Sequence, residues 1–270
     1  MAVYLGSKKI ADTSKHGIYI GGRAVNAIYK GNRRVYQYLN AAPVTFSAKN
    51  ALQSYVVPKG CHKLSVDCVA AKGLSNGAAG GKGGRVQCTL SVTEGQTLYI
   101  VAGTVPTAVH QGIYNASDIR TNGAGITDTA SLQSRLVVAG GGGGTNSANS
   151  TGAGGNGGGT TAASGADSSY GRGGGGGTPN NGGAAGAGYG YYGAADGQAG
   201  AFGLGGQTVG GDGGAGWYGG GSGGTGSYGT NGNGGGGGGS SYTSPTLCNG
   251  VIHTPGYRDG AGYVTITPMR

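Results

Sequence analysis

The sequence predicts an all-β protein in which antiparallel strands frame a bundle of polyglycine type II helices, and three observations carry that prediction. Residues 140–239 hold 48 of the 69 glycines, in runs such as Gly140–Gly144, Gly157–Gly159, Gly173–Gly177 and Gly234–Gly239. Apolar residues alternate ahead of that tract, at Leu64, Val66, Cys68 and Ala70 and again at Val86, Cys88, Leu90 and Val92, which gives one buried face to each of two strands. A further strand, Ala261–Pro268, follows the tract.

Glycine-rich chain ordinarily reads as flexible linker, because glycine loses the most backbone entropy on folding. A structureless loop of this length between strands would be unusual, so an ordered structure open to glycine is expected. The polyproline-II-like helix is one, with three residues per turn, about 3.1 Å rise and peptide groups unpaired within the helix. Without Cβ atoms such helices pack side by side and satisfy one another's N–H and C=O groups. A side chain inside a run would push neighbouring backbones apart.

Composition supports order. Leucine, isoleucine, valine and phenylalanine are scarce, yet the chain is only 10% charged and carries 17 tyrosines, unlike disordered segments. Seven prolines and no sustained G-X-Y period exclude collagen. The net charge is +9, of which residues 1–40 supply +6: Lys8, Lys9, Lys15, Arg23, Lys30, Arg33 and Arg34 against Asp12. The glycine tract carries Arg172 alone against Asp167, Asp196 and Asp212. RGG-type RNA binders need many arginines among their glycines, so no nucleic-acid partner is expected.

Residues 1–38 contain a repeat, VYLGSKKI at Val3–Ile10, IYIGGRAV at Ile18–Val25 and IYKGNRRVY at Ile28–Tyr36. Alternation around a glycine turn predicts a hairpin for each copy. Units this small dock rather than bury a core, so residues 1–40 read as an attachment module presenting Tyr4, Tyr19, Tyr29, Arg33, Arg34, Tyr36 and Tyr38. A β-meander that only stabilises the rest is the bland alternative. Residues 39–43 look like the linker to a second domain over 44–270.

Within that domain, strands are expected in 44–139 at Val44–Ala48, Ser54–Pro58, His62–Ala71, Arg85–Thr93, Thr97–Gly103 and Ser134–Gly140, with residues 104–131 as a polar loop. The glycine-rich insert Gly73–Gly84 is expected to begin the bundle. In 240–268, Ser240–Pro245 is extended, Asn249–Gly256 a loop and Ala261–Pro268 the final strand. Strands at both ends of the tract imply that its termini return to one sheet.

Five blocks then match something familiar: SYVVPKGCHKLSVDCVAA, GGKGGRVQCTLSVTEGQTLYIVAG, RLVVAGGGGGT, GGGGGGSSY and DGAGYVTIT. They resemble the glycine-rich domain of bacteriophage tail-fibre adhesins over residues 44–268. The same domain type is similar to the extracellular glycine-rich region of anaplastic-lymphoma-kinase receptors. That identity is not expected, since no secretory signal, 18-residue apolar run or kinase motif is found. The resemblance implies a small, jelly-roll-like antiparallel β-sandwich beside a hexagonal polyglycine bundle whose loops bind the host receptor. The N-terminal repeats look like leader segments of phage tail and baseplate proteins, which implies a virion protein made in the host cytoplasm. Its expected partners are other virion proteins through residues 1–40 and a bacterial surface glycan or outer-surface protein, with no membrane insertion. Phage fibres are often trimeric, although residues 1–38 carry no coiled-coil heptads to specify a homo-oligomer. The alternative is a purely structural virion part such as a tail-tip, head-fibre or decoration protein.

If glycine runs alternate in direction, the hinges 160–170, 189–202 and 217–218 share one end. That end would gather Tyr170, Tyr189, Tyr191, Tyr192, Phe202, Trp217 and Tyr218 as a receptor-binding tip, with Tyr228 at the other end. Rigid aromatics are favoured at binding hot spots. The competing expectation is that these rings cover bundle ends or pack on the sheet.

No catalytic constellation is found. His16, His62, His110 and His253 are scattered, and nine acidic residues are too dispersed for a carboxylate dyad. Strings like GxGxxG arise from composition alone, without a βαβ context. Cys61, Cys68, Cys88 and Cys248 lack CxxC spacing, so no metal or cofactor is expected. Buried free thiols are expected, with Cys68 and Cys88 the best placed for any bridge.

Overall fold

Alternation decides the sheets. The computed structural model describes residues 42–111, 114–146, 151–190, 193–208, 210–226 and 232–269, together with the backbone of short strands within residues 2–37. Those strands form three two-stranded antiparallel sheets: β1 (Ala2–Leu5) with β2 (Lys8–Asp12), β3 (Tyr19–Ile20) with β4 (Arg23–Ala24), and β5 (Ala27–Lys30) with β6 (Arg33–Gln37). Each falls on one copy of the repeat.

The remaining strands are β7 (Val44–Ser47), β8 (Gln53–Val56), β9 (Lys63–Val69), β10 (Gly83–Ser91), β11 (Thr97–Val101), β12 (Ser117–Arg120), β13 (Arg135–Ala139), β14 (Tyr242–Thr243), β15 (Cys248–Arg258) and β16 (Tyr263–Met269). They make two five-stranded antiparallel sheets, ordered β15-β10-β9-β16-β7 and β14-β13-β12-β11-β8. Leu64, Val66, Cys68, Val86, Cys88, Leu90, Val264 and Ile266 from the first sheet join Leu98, Ile100, Ile119 and Val137 from the second in one core. Burying each large aliphatic side chain there contributes about 1.5–3 kcal/mol. All four cysteines are buried free thiols, and the register sets Cys68 opposite Val86 and Cys88 opposite Val66.

Two expectations are corrected. Residues 104–131 are not simply a polar loop: they contain β12, central in its sheet, and a short helix α1 (Thr129–Gln133) capped by the Asp128 carboxylate, which accepts from Ser131 N–H. β12 reads SDIR, and its polarity is hidden because Asp118 and Arg120 pair with each other inside the protein. Residues 249–256 lie within the edge strand β15 and not in a loop. Its bulged register, positive φ at Gly250 and Gly256, and edge position accommodate Pro255.

The tract leaves from β13 and returns in β14, its hydrogen-bonded neighbour. The described residues between them form no regular helix or strand. Their backbone is nevertheless paired over long distances, and the pairing repeats every three residues. In segment 219–225, Gly219, Ser222 and Thr225 donate to Ala201, Gln198 and Ala195; Gly220 and Gly223 donate to Gly214 and Gly211; Gly221 and Gly224 donate to Gly175 and Arg172. In segment 234–240, successive N–H groups turn in the same rotation toward three segments, represented by Gly224, Ala166 and Gly144. Its carbonyls at Gly234, Gly235 and Gly236 accept from Gly211, Gly174 and Gly155, which belong to three more. Segment 234–240 therefore has six hydrogen-bonded neighbours.

Bare backbone is what permits this contact. A Cβ built on Gly236 would strike the Asp212 carbonyl, and one on Gly220 the Gly237 carbonyl. Insert 73–84 belongs to the same array, since Gly81 donates to Gly143 and Gly154 donates to Ala79. Partner numbers descend between segments that follow one another in the chain (Gly220 to Gly214 and Gly223 to Gly211, Arg172 to Ala187 and Gly175 to Ala184) and ascend between segments one apart (Gly211 to Gly234, Gly214 to Gly237), so successive segments alternate in direction.

Candidate functional site

The alternation holds, but the segments are more numerous than glycine density indicates. Residues 162–166 and 195–201 are complete segments: Ala163 and Ala166 donate to Asn156 and Ala153, and Gly197 and Gly200 donate to Gly186 and Gly183. Both are rich in alanine and lie at the margin of the array, where several of their residues are exposed. Each was expected to be part of a hinge. Counting them splits hinge 160–170 into two turns at opposite ends, and hinge 189–202 likewise. The seven aromatic residues expected at one tip are therefore divided.

Tyr170 and Tyr189 sit together, bracketing the start of segment 171–177 and the end of 182–188. The Tyr189 N–H donates to the Tyr170 carbonyl at 2.8 Å, and Gly171 bridges Gly188. Acidic side chains finish the exposed backbone donors: the Asp167 carboxylate accepts from Gly173 N–H at 2.8 Å, and that of Asp196 from Gly188 N–H at 3.0 Å. The Ser168 hydroxyl accepts from Gly171 N–H and donates to the Gly232 carbonyl. Gly232, at φ +70°, passes against the Tyr170 ring, where an added Cβ would collide. The Arg172 guanidinium lies 5.8 Å from the centre of the Tyr189 ring. The two tyrosines remain 52% and 43% exposed, so a hydrogen-bonded base holds two half-exposed rings.

Phe202, Trp217 and Tyr218 lie at the other end of these segments, beside the sandwich. This corrects the expectation that they join the tip. Phe202 packs edge-on to Trp217 at 4.8 Å and to Tyr218 at 5.4 Å, while Trp217 stacks on Tyr242 of β14 at 3.8 Å. Arg135, the first residue of β13, reaches under them. Its guanidinium lies 5.0 Å from the Phe202 ring and 5.1 Å from that of Trp217, and it donates to the carbonyls of Leu132, Gly216 and Trp217. These half-buried rings fasten the array to the sandwich. Arg135 was not anticipated as part of any cluster, since nothing in SRLVVAG marks its arginine as buried.

Comparison with protein-family models finds none that matches this chain, and comparison with curated proteins finds no match either. The chemistry of the site accordingly rests on its own geometry.

Tyr191, Tyr192 and Tyr228 lie outside the described residues, as does Tyr38. Tyr4, Tyr19, Tyr29, Arg33, Arg34 and Tyr36 fall in β1, β3, β5 and β6, with Tyr29 opposite Arg34 and Ile28 opposite Tyr36. Among the described residues no group of three or more His, Cys, Asp or Glu is placed to hold a metal, and no helix is long and apolar enough to cross a membrane. His110 does meet a carboxylate: its backbone N–H donates to Asp212 at 2.5 Å, and Asn146 Nδ2 donates to the same side chain at 3.1 Å. Asp212 is buried within segment 210–216, and that burial pushes its carboxyl above the usual range. Its bonds are spent on holding neighbouring loops to the array.

Proposed function

We propose that this chain is a non-enzymatic bacteriophage virion protein, a tail-fibre or tail-tip adhesin. In this reading residues 1–40 attach it to other virion proteins, and turns at the far end of the glycine array bind a bacterial surface glycan or outer-surface protein. The observation that carries the reading is the Tyr170–Tyr189 pair, exposed at the end opposite the sandwich. Aromatic rings on a preorganised base cost little entropy to present and stack well on sugars and apolar side chains. The array itself we read as polyglycine type II helices. Support comes from the three-residue repeat of its hydrogen bonds and the six neighbours of segment 234–240, which match a threefold helix packed hexagonally.

A second reading, a purely structural virion part, draws on the fate of Phe202, Trp217 and Tyr218, which serve internal packing. One experiment separates the two. Particles carrying Tyr170→Ser with Tyr189→Ser should adsorb to host cells with an affinity about thirtyfold lower or worse, because truncating a hot-spot aromatic costs about 2 kcal/mol. Their unfolding midpoint should not move. Phe202→Ser should do the reverse, lowering the midpoint while folded particles adsorb normally. Unchanged adsorption of the folded double variant would overturn the adhesin reading and leave the structural one.

A further inference from the structure

Where the sandwich meets the glycine array, two guanidinium groups and one carboxylate are buried together. Arg120 is 1% exposed, Arg135 3% and Asp118 2%, so the cluster carries one positive charge in excess. Asp118 is fully engaged by Arg120, whose Nε donates to Oδ1 at 2.7 Å and whose Nη2 donates to Oδ2 at 2.5 Å. The Arg120 Nη1 is directed at the carbonyls of Gly125 and Ile126 and at the Ser131 hydroxyl. Arg135 makes no ion pair among the described residues. Its Nε, Nη1 and Nη2 each donate to one backbone carbonyl.

A guanidinium has five N–H groups. Arg135 therefore keeps two, and Arg120 Nη2 one, with no acceptor among the described residues. A cavity of about 10 Å³ lies at this place, lined by Asp118, Arg120 and Arg135 together with Leu132, Leu204 and Ala215. A buried charge without a counter-charge is costly, and the rings of Phe202 and Trp217 offset only part of that cost. Burial pushes the Arg135 guanidinium down to about 10, the direction expected of a cation short of negative charge.

We propose that this cavity is a binding site for a small monovalent anion, chloride in ordinary buffers, held by the unused N–H groups of Arg135 and Arg120. The space is about that of one water, roughly 10–15 Å³, so a halide, somewhat larger than water, enters only as the lining gives way slightly, and the still larger sulfate, phosphate and carboxylates are disfavoured. A water would satisfy the N–H groups and leave the charge; a halide satisfies both. Bound there, the anion pins the end of segment 210–216 to β13 through Arg135.

Thermal unfolding of the full chain tests this at constant ionic strength, with sodium chloride exchanged for sodium gluconate. The midpoint should rise with chloride by about 2–4 °C for each tenfold increase above the dissociation constant, as ligand binding to the folded state requires. Bromide should replace chloride, and sulfate should not. Arg135→Met should abolish the halide dependence. Should that variant fail to fold, a bromide-soaked crystal of the unmodified chain should still show an anomalous peak in the cavity. Equal midpoints in chloride and gluconate overturn the proposal, whether the cavity shows no bromide or fills only at molar bromide.

Discussion

The sandwich and the glycine array are two solutions to one problem in one chain. In the sandwich, Leu64, Leu90, Leu98 and Ile266 exclude water, and backbone pairing follows the strands. In the array, segments 219–225 and 234–240 are almost as buried but offer hardly any carbon to bury. There the peptide groups do the holding, each N–H directed at a different neighbour in turn. A net hydrogen bond contributes about 0.5–1.5 kcal/mol, less than a buried leucine, so such a structure requires nearly every one of them. The sandwich should fail when atoms are taken away, and the array when atoms are added.

The sharpest way to break the comparison is to perform both operations. Gly236→Ala adds one methyl against the Asp212 carbonyl, where backbone surrounds it and nothing can yield. Denaturant titration should show a loss of about 3 kcal/mol or more, at or beyond the upper range for overpacking. Gly125→Ala, whose Cβ would meet Asp128 at an ordinary 3.4 Å, should change stability little. Leu90→Ala should cost about 2–5 kcal/mol by leaving a cavity. If Gly236→Ala proved as mild as Gly125→Ala, the array would not be the close-packed body described.

A smaller effect sharpens the contrast. Ser222 is one of the few side chains inside segment 219–225, and its hydroxyl accepts from Gln198 N–H at 2.7 Å. Ser222→Ala keeps the volume and strands that donor, so a loss of about 1–3 kcal/mol is expected in the same titration.

The smallest effect is a pH dependence confined to the sandwich. Burial on β15 lowers the pKa of His253, so the folded state resists protonating it. The unfolded chain binds that proton first, and stability should fall as pH drops through about 6.5, its unfolded value. His253→Asn should flatten this part of the stability curve between pH 7 and 5.

How much of this was legible follows from the same contrast. Alternation at Leu64–Ala70 and Val86–Val92 marked the sheet faces, because apolar burial writes itself into residue type. β12 did not stand out, since Asp118 and Arg120 satisfy each other inside and look like loop residues from outside. β15 was disguised by Pro255 and two glycines that only an edge strand tolerates. In the array, central segments were plain from their glycine runs. The marginal ones were not, because a segment with neighbours on only part of its circumference has room for alanine elsewhere. Segment 195–201 keeps Gly197 and Gly200, three apart, at its contacts. Missing it and 162–166 is what merged two aromatic clusters into one.

Both excursions from the sandwich begin and end on adjacent strands, 73–84 between β9 and β10 and the long tract between β13 and β14. That places a parity rule on the evolution of the protein. Rods must be gained or lost in twos for the chain to come home, and each must lengthen in steps of three residues to keep its bonds in phase. A lineage obeying both could extend its reach from the sandwich, or widen its far face, without redesigning a single packed side chain.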